Sequence, residues 1–391
     1  MTVYLLYSAT NRDNFRDKLG HAEYSYFFVL EQFRTMLEKR ATVVVVSDPE
    51  SEVDPIYDAM RQEGRACVFL PFCAPHMMPR NIRCPTVPVF AWEFDTIPDE
   101  PWDDEPDNDW RAALSRVGGA ITHSRYGAHA VTSAMDSHFP VEWMPAPVWD
   151  NYFSAESVST RSMPVVTTQL AVTGTIVDSR PSSASTTSLR SARKRNFRWR
   201  LMATTRYAHA WYRDVLRDLL PAVVKTFASR VGGLLHRFVD RRRKLKRTPR
   251  PQAGNPVPLE VGGYVFLTVL NPYDGRKNWQ DMVTAFCTSL RHCADATLIL
   301  KFTHVDSSFA MDEIRGLLQR LPPFQCRVVA LDSFLDGCQY GKLVAASTFA
   351  VNSSLAEGQC LPLMEAMSSG VPVIAPQHTG ISDYVDEDVV S

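Results

Sequence analysis

Residues 350–376 read AVNSSLAEGQCLPLMEAMSSGVPVIAP, and the fold is decided by how this stretch is read. An apolar run enters a tight polar loop, and a second apolar run leaves it. Between them Pro362, with its fixed φ and missing N–H, suits the first helical position, and Gly370 suits the place just past a helix end. The spacing therefore predicts strand, loop, a short helix over residues 362–369, and strand. The N-terminus of that helix points at Glu357-Gly358-Gln359-Cys360. Its unpaired amides and dipole favour an anion such as a diphosphate, and Gly358 lets a ligand approach the backbone closely. Glu357 and Glu365, with seven residues between them, are poor phosphate ligands but good acceptors for sugar and ribose hydroxyls. The plain alternative is a surface βαβ connection whose acids are merely solvated.

The order Glu, seven residues, Glu, helix, GVPVIAP resembles the donor site of retaining glycosyltransferases of the GT-B fold, family 4. The resemblance implies that Glu357 holds the transferred sugar as a catalytic residue and that Glu365 binds the nucleotide ribose. It also implies that Ser354, Gly358, Gln359, Cys360 and Leu361 line the donor site. Where the family usually reads Glu-Gly-Phe-Gly, this chain reads Glu-Gly-Gln-Cys, which reduces backbone freedom at Cys360.

Upstream, GYVFLTVL (residues 263–270) predicts a strand, and the Arg-Lys-Asn-Trp at 276–279 that opens the next helix resembles a subset of the same family. Lys277 matches the family lysine that reaches the donor diphosphate. The matching arginine position holds Pro272, leaving Arg276 or Asn271 to compensate. Cations at such a turn neutralise a diphosphate leaving group as its charge grows; otherwise Arg276 and Lys277 are an ordinary exposed pair. Helices over 279–290, 311–320 and 339–346 alternate with strands over 296–302, 327–330 and 349–351. This predicts a doubly wound donor domain over residues 257–391. Relatives usually continue through further helices, one crossing back to the first domain, so this domain is expected to be a shortened one.

The first 150 residues alternate in the same way. Strands are predicted over 2–8, 41–47, 66–72, 87–92, 120–123 and 141–144, with helices over 22–39, 109–116 and 126–135. Two loops stand out at strand ends. Gly20-His21 resembles the family's glycine-rich acceptor loop, which places Gly20 and His21 at the acceptor. Glu93 falls where many relatives carry a histidine facing the reacting sugar, and a carboxylate there could orient or deprotonate an acceptor hydroxyl. A salt-bridged strand-end acid is the other reading of Glu93, and structural roles are expected of His21, His76 and His123.

Residues 151–256 show no strand alternation. A Ser/Thr-rich stretch precedes residues 190–250, where 19 Lys or Arg stand against three Asp, a net of +16 against −17 for the rest of the chain. Residues 211–238 have helical apolar periodicity with Arg and Lys opposite. This predicts a basic, partly flexible insert whose amphipathic helix lies on an anionic membrane surface. A partner-binding insertion and, more weakly, nucleic-acid binding are the alternatives.

A chain of 391 residues, 45% hydrophobic, can bury two ordinary cores. It shows neither a signal peptide nor an apolar run long enough to span a bilayer, so a cytoplasmic protein, peripheral to a membrane at most, is expected. The eight cysteines include no Cys-x-x-Cys pair, so free thiols and no structural metal are expected. The whole predicts an α/β protein with two Rossmann-like domains facing a cleft. It would transfer sugar from a nucleotide-diphosphate donor to a glycan or lipid-linked acceptor, with no cofactor, the nucleotide sugar being a substrate. A non-catalytic scaffold of the same shape, binding a membrane or polyanion through its insert, is the reading from another class.

Overall fold

The structure, a computed structural model, describes residues 2–21, 23–101, 105–136, 138–148, 165–180 and 256–386. The expected amphipathic helix and its membrane role lie outside the described residues. Within those residues, no helix is long and apolar enough to cross a membrane.

The N-terminal half is a parallel sheet wrapped by helices. β1 (Val3–Tyr7), β2 (Thr42–Val45) and β3 (Cys67–Pro71) pair in the order β2-β1-β3. Parallel bridges Phe69–Thr86 and Phe72–Val89 carry the sheet on to β4 (Val89–Phe90), β5 (Ala120–Thr122) and β6 (Val141–Trp143). α1 (Tyr24–Leu37) buries Tyr26, Val29, Leu30 and Phe33 against Leu6, Leu70, Phe72 and Phe90. α2 (Pro49–Gln62) is a helix that periodicity does not announce, because it buries only Pro49 and Val53. Its signal is electrostatic: Pro49 in the first turn, Glu50 and Glu52 beside it, and Arg61 in the last turn all suit the helix dipole. α3 (Trp110–Leu114) and α4 (Arg125–Ala134) start at side-chain caps, Asp109 and Ser124.

In the C-terminal half the order is β13-β12-β9-β10-β11-β8. β9 (Val257–Leu270), β10 (Ala296–Phe302), β11 (Arg327–Ser333), β12 (Phe349–Val351) and β13 (Val373–Ile374) are mutually parallel. Counting from β9, this is the doubly wound order with its switch between β9 and β12. α5 (Trp279–Ser289), α6 (Ser308–Leu318), α7 (Gly337–Ala345) and α8 (Leu361–Ser368) make the crossovers. α8 begins one residue before the expected start, with Pro362 still in its first turn. β10 is buried along its whole length, as a central parallel strand covered on both faces must be.

One expectation is overturned. Residues 151–256 were expected to lack strands, yet β7 (Val165–Val172) and β8 (Gly174–Asp178) lie there. β7 runs antiparallel to the first half of β9, and β8 antiparallel to β11. The four β-branched residues Val165 to Thr168 were the available signal, hidden by a Ser/Thr-rich context. Arg327 on β11 clasps the Asp178 carboxylate through Nε and Nη2, and its Nη1 donates to the Glu260 carbonyl at 2.7 Å. All eight cysteines are unbridged, and the Sγ atoms of Cys67 and Cys84 lie 4.0 Å apart in the first core.

Candidate active site

A crevice forms where two neighbouring parallel strands send their chains to opposite faces of the sheet. Here the strands are β9 and β12, and the loops leaving their C-terminal ends are residues 271–278 and 352–360. The first loop is shaped by Asp274, whose carboxylate accepts the Arg276 amide at 3.3 Å and starts a single 3₁₀ turn, Gly275–Lys277. Asn278, at φ 50, then swings the chain into α5. Buried Trp279 anchors the turn by donating its indole N–H to the Pro272 carbonyl at 3.0 Å. The proline in place of the expected arginine is therefore a structural fixture, and cations reach the crevice from Arg276 and Lys277.

Those cations meet Glu357. Lys277 Nζ lies 2.5 Å from Glu357 Oε1 and Arg276 Nη1 3.1 Å from Oε2, with the glutamate side chain only 4% exposed. Ser354 Oγ (2.7 Å) and Asn352 Nδ2 (3.1 Å) also donate to Oε1. Burial alone would push this carboxyl up, but Lys277 and Arg276 outweigh it and hold it down at about 2. The arrangement is a fixed carboxylate with two cations beside it at a strand-to-helix turn.

Glu365, on α8, accepts from the Tyr340 hydroxyl at 2.8 Å. Burial, with the Glu365 charge adding to it, pushes the nearby Tyr24 hydroxyl up to about 12. Leu361 packs on the N-terminal core beside Met364. Cys360 takes the left-handed conformation, φ 65, where the resembled family has glycine, and burial raises its thiol to about 12. The room expected at Gly358 is occupied: a Cβ there would sit 3.0 Å from Ala91 Cβ and 3.1 Å from Trp92 N, so the neighbour that needs the glycine is protein backbone.

Gln359 is 4% exposed, its carbonyl accepts the Tyr384 hydroxyl, and neither atom of its side-chain amide has a partner among the described residues. A buried amide without partners costs about 1–3 kcal/mol. Gln359→Leu is accordingly expected to stabilise the ligand-free protein by about 1 kcal/mol, read as a higher urea midpoint; a lower midpoint would mean the amide is satisfied.

On the other half, Glu93 follows β4 and reaches across to the same cations, its Oε1 3.1 Å from Arg276 Nη2. Burial pushes its carboxyl up against the pull of Arg276. Gly20 and Asn271 are brought together: Asn271 Nδ2 donates to the Gly20 carbonyl at 3.0 Å. That amide, expected at the diphosphate, is engaged in fastening the two halves. Gly20 has φ +84 and lies so close to His304 that a Cβ would overlap its ring. His21 is exposed. His76 accepts the Trp110 indole N–H at 3.0 Å, a structural role. His123 donates from Nδ1 to the Met144 carbonyl at 3.0 Å, while its buried Nε2 has no partner among the described residues. Burial lowers its pKa to about 4, so the ring is neutral at pH 7. Sequence reasoning missed a further contact between the halves, Asp383 accepting the Arg125 amide at 2.7 Å. A separation of 258 residues leaves no local signal for it.

Residues 266–390 match the family described as glycosyl transferases group 1. That stretch is similar to a glycosyltransferase domain. The match begins on β9 and spans both crevice loops, so the cations and both glutamates fall inside it. The two doubly wound sheets, with strand ends facing across Arg276–Glu93 and Asn271–Gly20, are two Rossmann-like halves in the arrangement of the GT-B fold. No curated protein matches the sequence. Among solved structures the chain is similar to HepE of Anabaena in complex with UDP, at 12% identity over 99% of this chain and 84% of that one, TM-score 0.42. It is similar also to the catalytic domain of starch synthase IV from Arabidopsis thaliana bound to ADP and acarbose, at 13% identity over 98% and 65%, TM-score 0.38. A third is TarM of S. aureus, at 10% identity over 82% and 43%, TM-score 0.39.

Proposed function

We propose that the protein is a retaining glycosyltransferase of family 4 that moves a sugar from a nucleotide-diphosphate donor to a glycan or lipid-linked acceptor. The observation that carries this reading is the meeting of Arg276, Lys277 and Glu357 across the β9–β12 switch. A diphosphate at the crevice would lie on the two cations, which stabilise it most when the sugar–phosphate bond breaks and its charge is greatest. Glu357, kept ionised, accepts a hydroxyl of the transferred sugar and fixes its orientation. Glu365, one turn into α8, takes the ribose diol in exchange for its bond to Tyr340. Retention follows if the acceptor oxygen attacks the face that the diphosphate leaves. The departing phosphate oxygen then takes the acceptor proton, and no enzymic nucleophile is required.

The test is a thermal-shift panel of nucleoside diphosphates and their sugars against wild type and Glu365→Gln. A ligand at 100 times its Kd stabilises the fold by about 2.7 kcal/mol, so one nucleotide should raise the melting temperature by several degrees. That shift should shrink or vanish in Glu365→Gln. A cooperatively melting wild type that responds to no nucleotide would sink the reading.

A further inference from the structure

Four of the five N–H donors of Arg276 already have protein acceptors, so only one is left for an arriving diphosphate. Its Nε pairs with Asp274 Oδ2 at 3.0 Å, and its Nη1 with Glu357 Oε2 at 3.1 Å and the Ala356 carbonyl at 2.6 Å. Its Nη2 pairs with Glu93 Oε1 at 3.1 Å. With Lys277 included, three carboxylates face two cations. A diphosphate adds at least two more negative charges at the same place, so one carboxylate has to yield its hold.

The three are not equally free to do so. Asp274 also accepts the Arg276 amide and holds the turn together. Glu357 is held by Lys277, Ser354 and Asn352 besides Arg276. Glu93 comes from the other half of the molecule, and Arg276 is its ion-pair partner there. It is the carboxylate with least to lose.

Resting on the donor site proposed above, we propose that Glu93 and Arg276 form an exchange pair. The donor diphosphate takes the guanidinium from Glu93, and the carboxylate so released accepts the hydrogen bond of the acceptor hydroxyl. Empty, the site hides Glu93 in an ion pair; loaded, it presents an oxygen acceptor beside the sugar. Acceptor anchoring thus becomes conditional on the donor, which limits idle exposure of the reactive donor to misplaced hydroxyls. Glu93 holds the acceptor hydroxyl while it docks; as the new bond to the sugar forms, the single hydroxyl proton turns from Glu93 to the departing phosphate oxygen, so Glu93 ends each turnover ionised and re-pairs with Arg276 when the nucleotide departs.

The exchange predicts an effect that a merely structural ion pair would not give. Glu93→Gln removes the competitor for Arg276, so whichever of UDP, GDP, ADP or TDP binds the wild type should bind this variant about tenfold more tightly by calorimetry, the effect of roughly 1.4 kcal/mol. In an Arg276→Gln background, itself weaker for the nucleotide, adding Glu93→Gln should change affinity less than twofold, since the two residues act through each other. Equal or weaker nucleotide binding by a Glu93→Gln protein that melts like wild type overturns the exchange pair. So does the same tightening in the Arg276→Gln background. A wild type that binds none of the four overturns the donor site itself, and the exchange with it.

Discussion

Glu357→Ala is expected to cost the fold about 3 kcal/mol at neutral pH, because Lys277, 16% exposed, loses the carboxylate it contacts, while Arg276 keeps only Asp274 and Glu93. The size of this loss should depend on pH in a definite sense. The Glu357 carboxyl titrates near 2 in the folded protein against 4.5 for the ordinary group. A depressed carboxyl contributes stability that is complete above its unfolded pKa and is lost as pH falls through the folded one. The window therefore runs from about pH 5 down to about pH 2, and the shift caps the contribution at about 3 kcal/mol. Urea unfolding of wild type and Glu357→Ala at pH 7 and pH 3 reads this directly: the gap between them should be wide at pH 7 and narrow at pH 3. A gap that stayed constant would mean that the stabilisation is packing rather than charge. Glu357→Gln keeps the shape and loses the charge, and sugar transfer should fall by roughly a hundredfold, as when one oriented group at a reacting centre is removed.

Asp178→Ala should be about as damaging, for a reason remote from the chemistry. Arg327 is 14% exposed, and the Asp178 carboxylate, 4% exposed, receives the Nε and Nη2 edge of its guanidinium. Removing the acid strands a nearly buried cation at the junction of β8 and β11, a loss of about 3 kcal/mol. Replacing both residues with apolar ones of similar size, Asp178→Leu with Arg327→Met, should recover most of it. The measurement is the urea midpoint of the single and double variants; a single variant within about 0.5 kcal/mol of wild type would show that β8 does not depend on this pair.

The loops over residues 271–278 and 352–360 were legible because their signals are local. Pro362 and Gly370 bracket α8 to within a residue at either end, and residues 296–302, an unbroken apolar run but for Thr297 and Lys301, coincide with β10. Lys277 and Glu357 were expected on the same ligand, and the structure puts them in contact with each other. The parts that escaped were written in long-range partners. Gly358 looked open to a ligand until Ala91 and Trp92 filled its space. Asn271 looked free for phosphate until Gly20, 251 residues away, took its amide. β7 and β8 carry a β-branched signal, but only their pairing with β9 and β11 turns them from an insert into sheet. α2 was missed for the opposite reason, since a helix that buries two residues has almost no period to detect.

The clasp at Arg327 has a mechanical meaning as well. One guanidinium holds Asp178, just before residues 181–255, and the Glu260 carbonyl, just after them. Both ends of that basic segment are thus tied to one strand of the C-terminal sheet, a few residues from where the segment leaves and returns. A tug on the segment would enter the sheet through β8 and β9, the two strands that this one side chain also ties to β11. The sheet that carries Lys277 and Glu357 is therefore the anchor plate for the most highly charged part of the molecule.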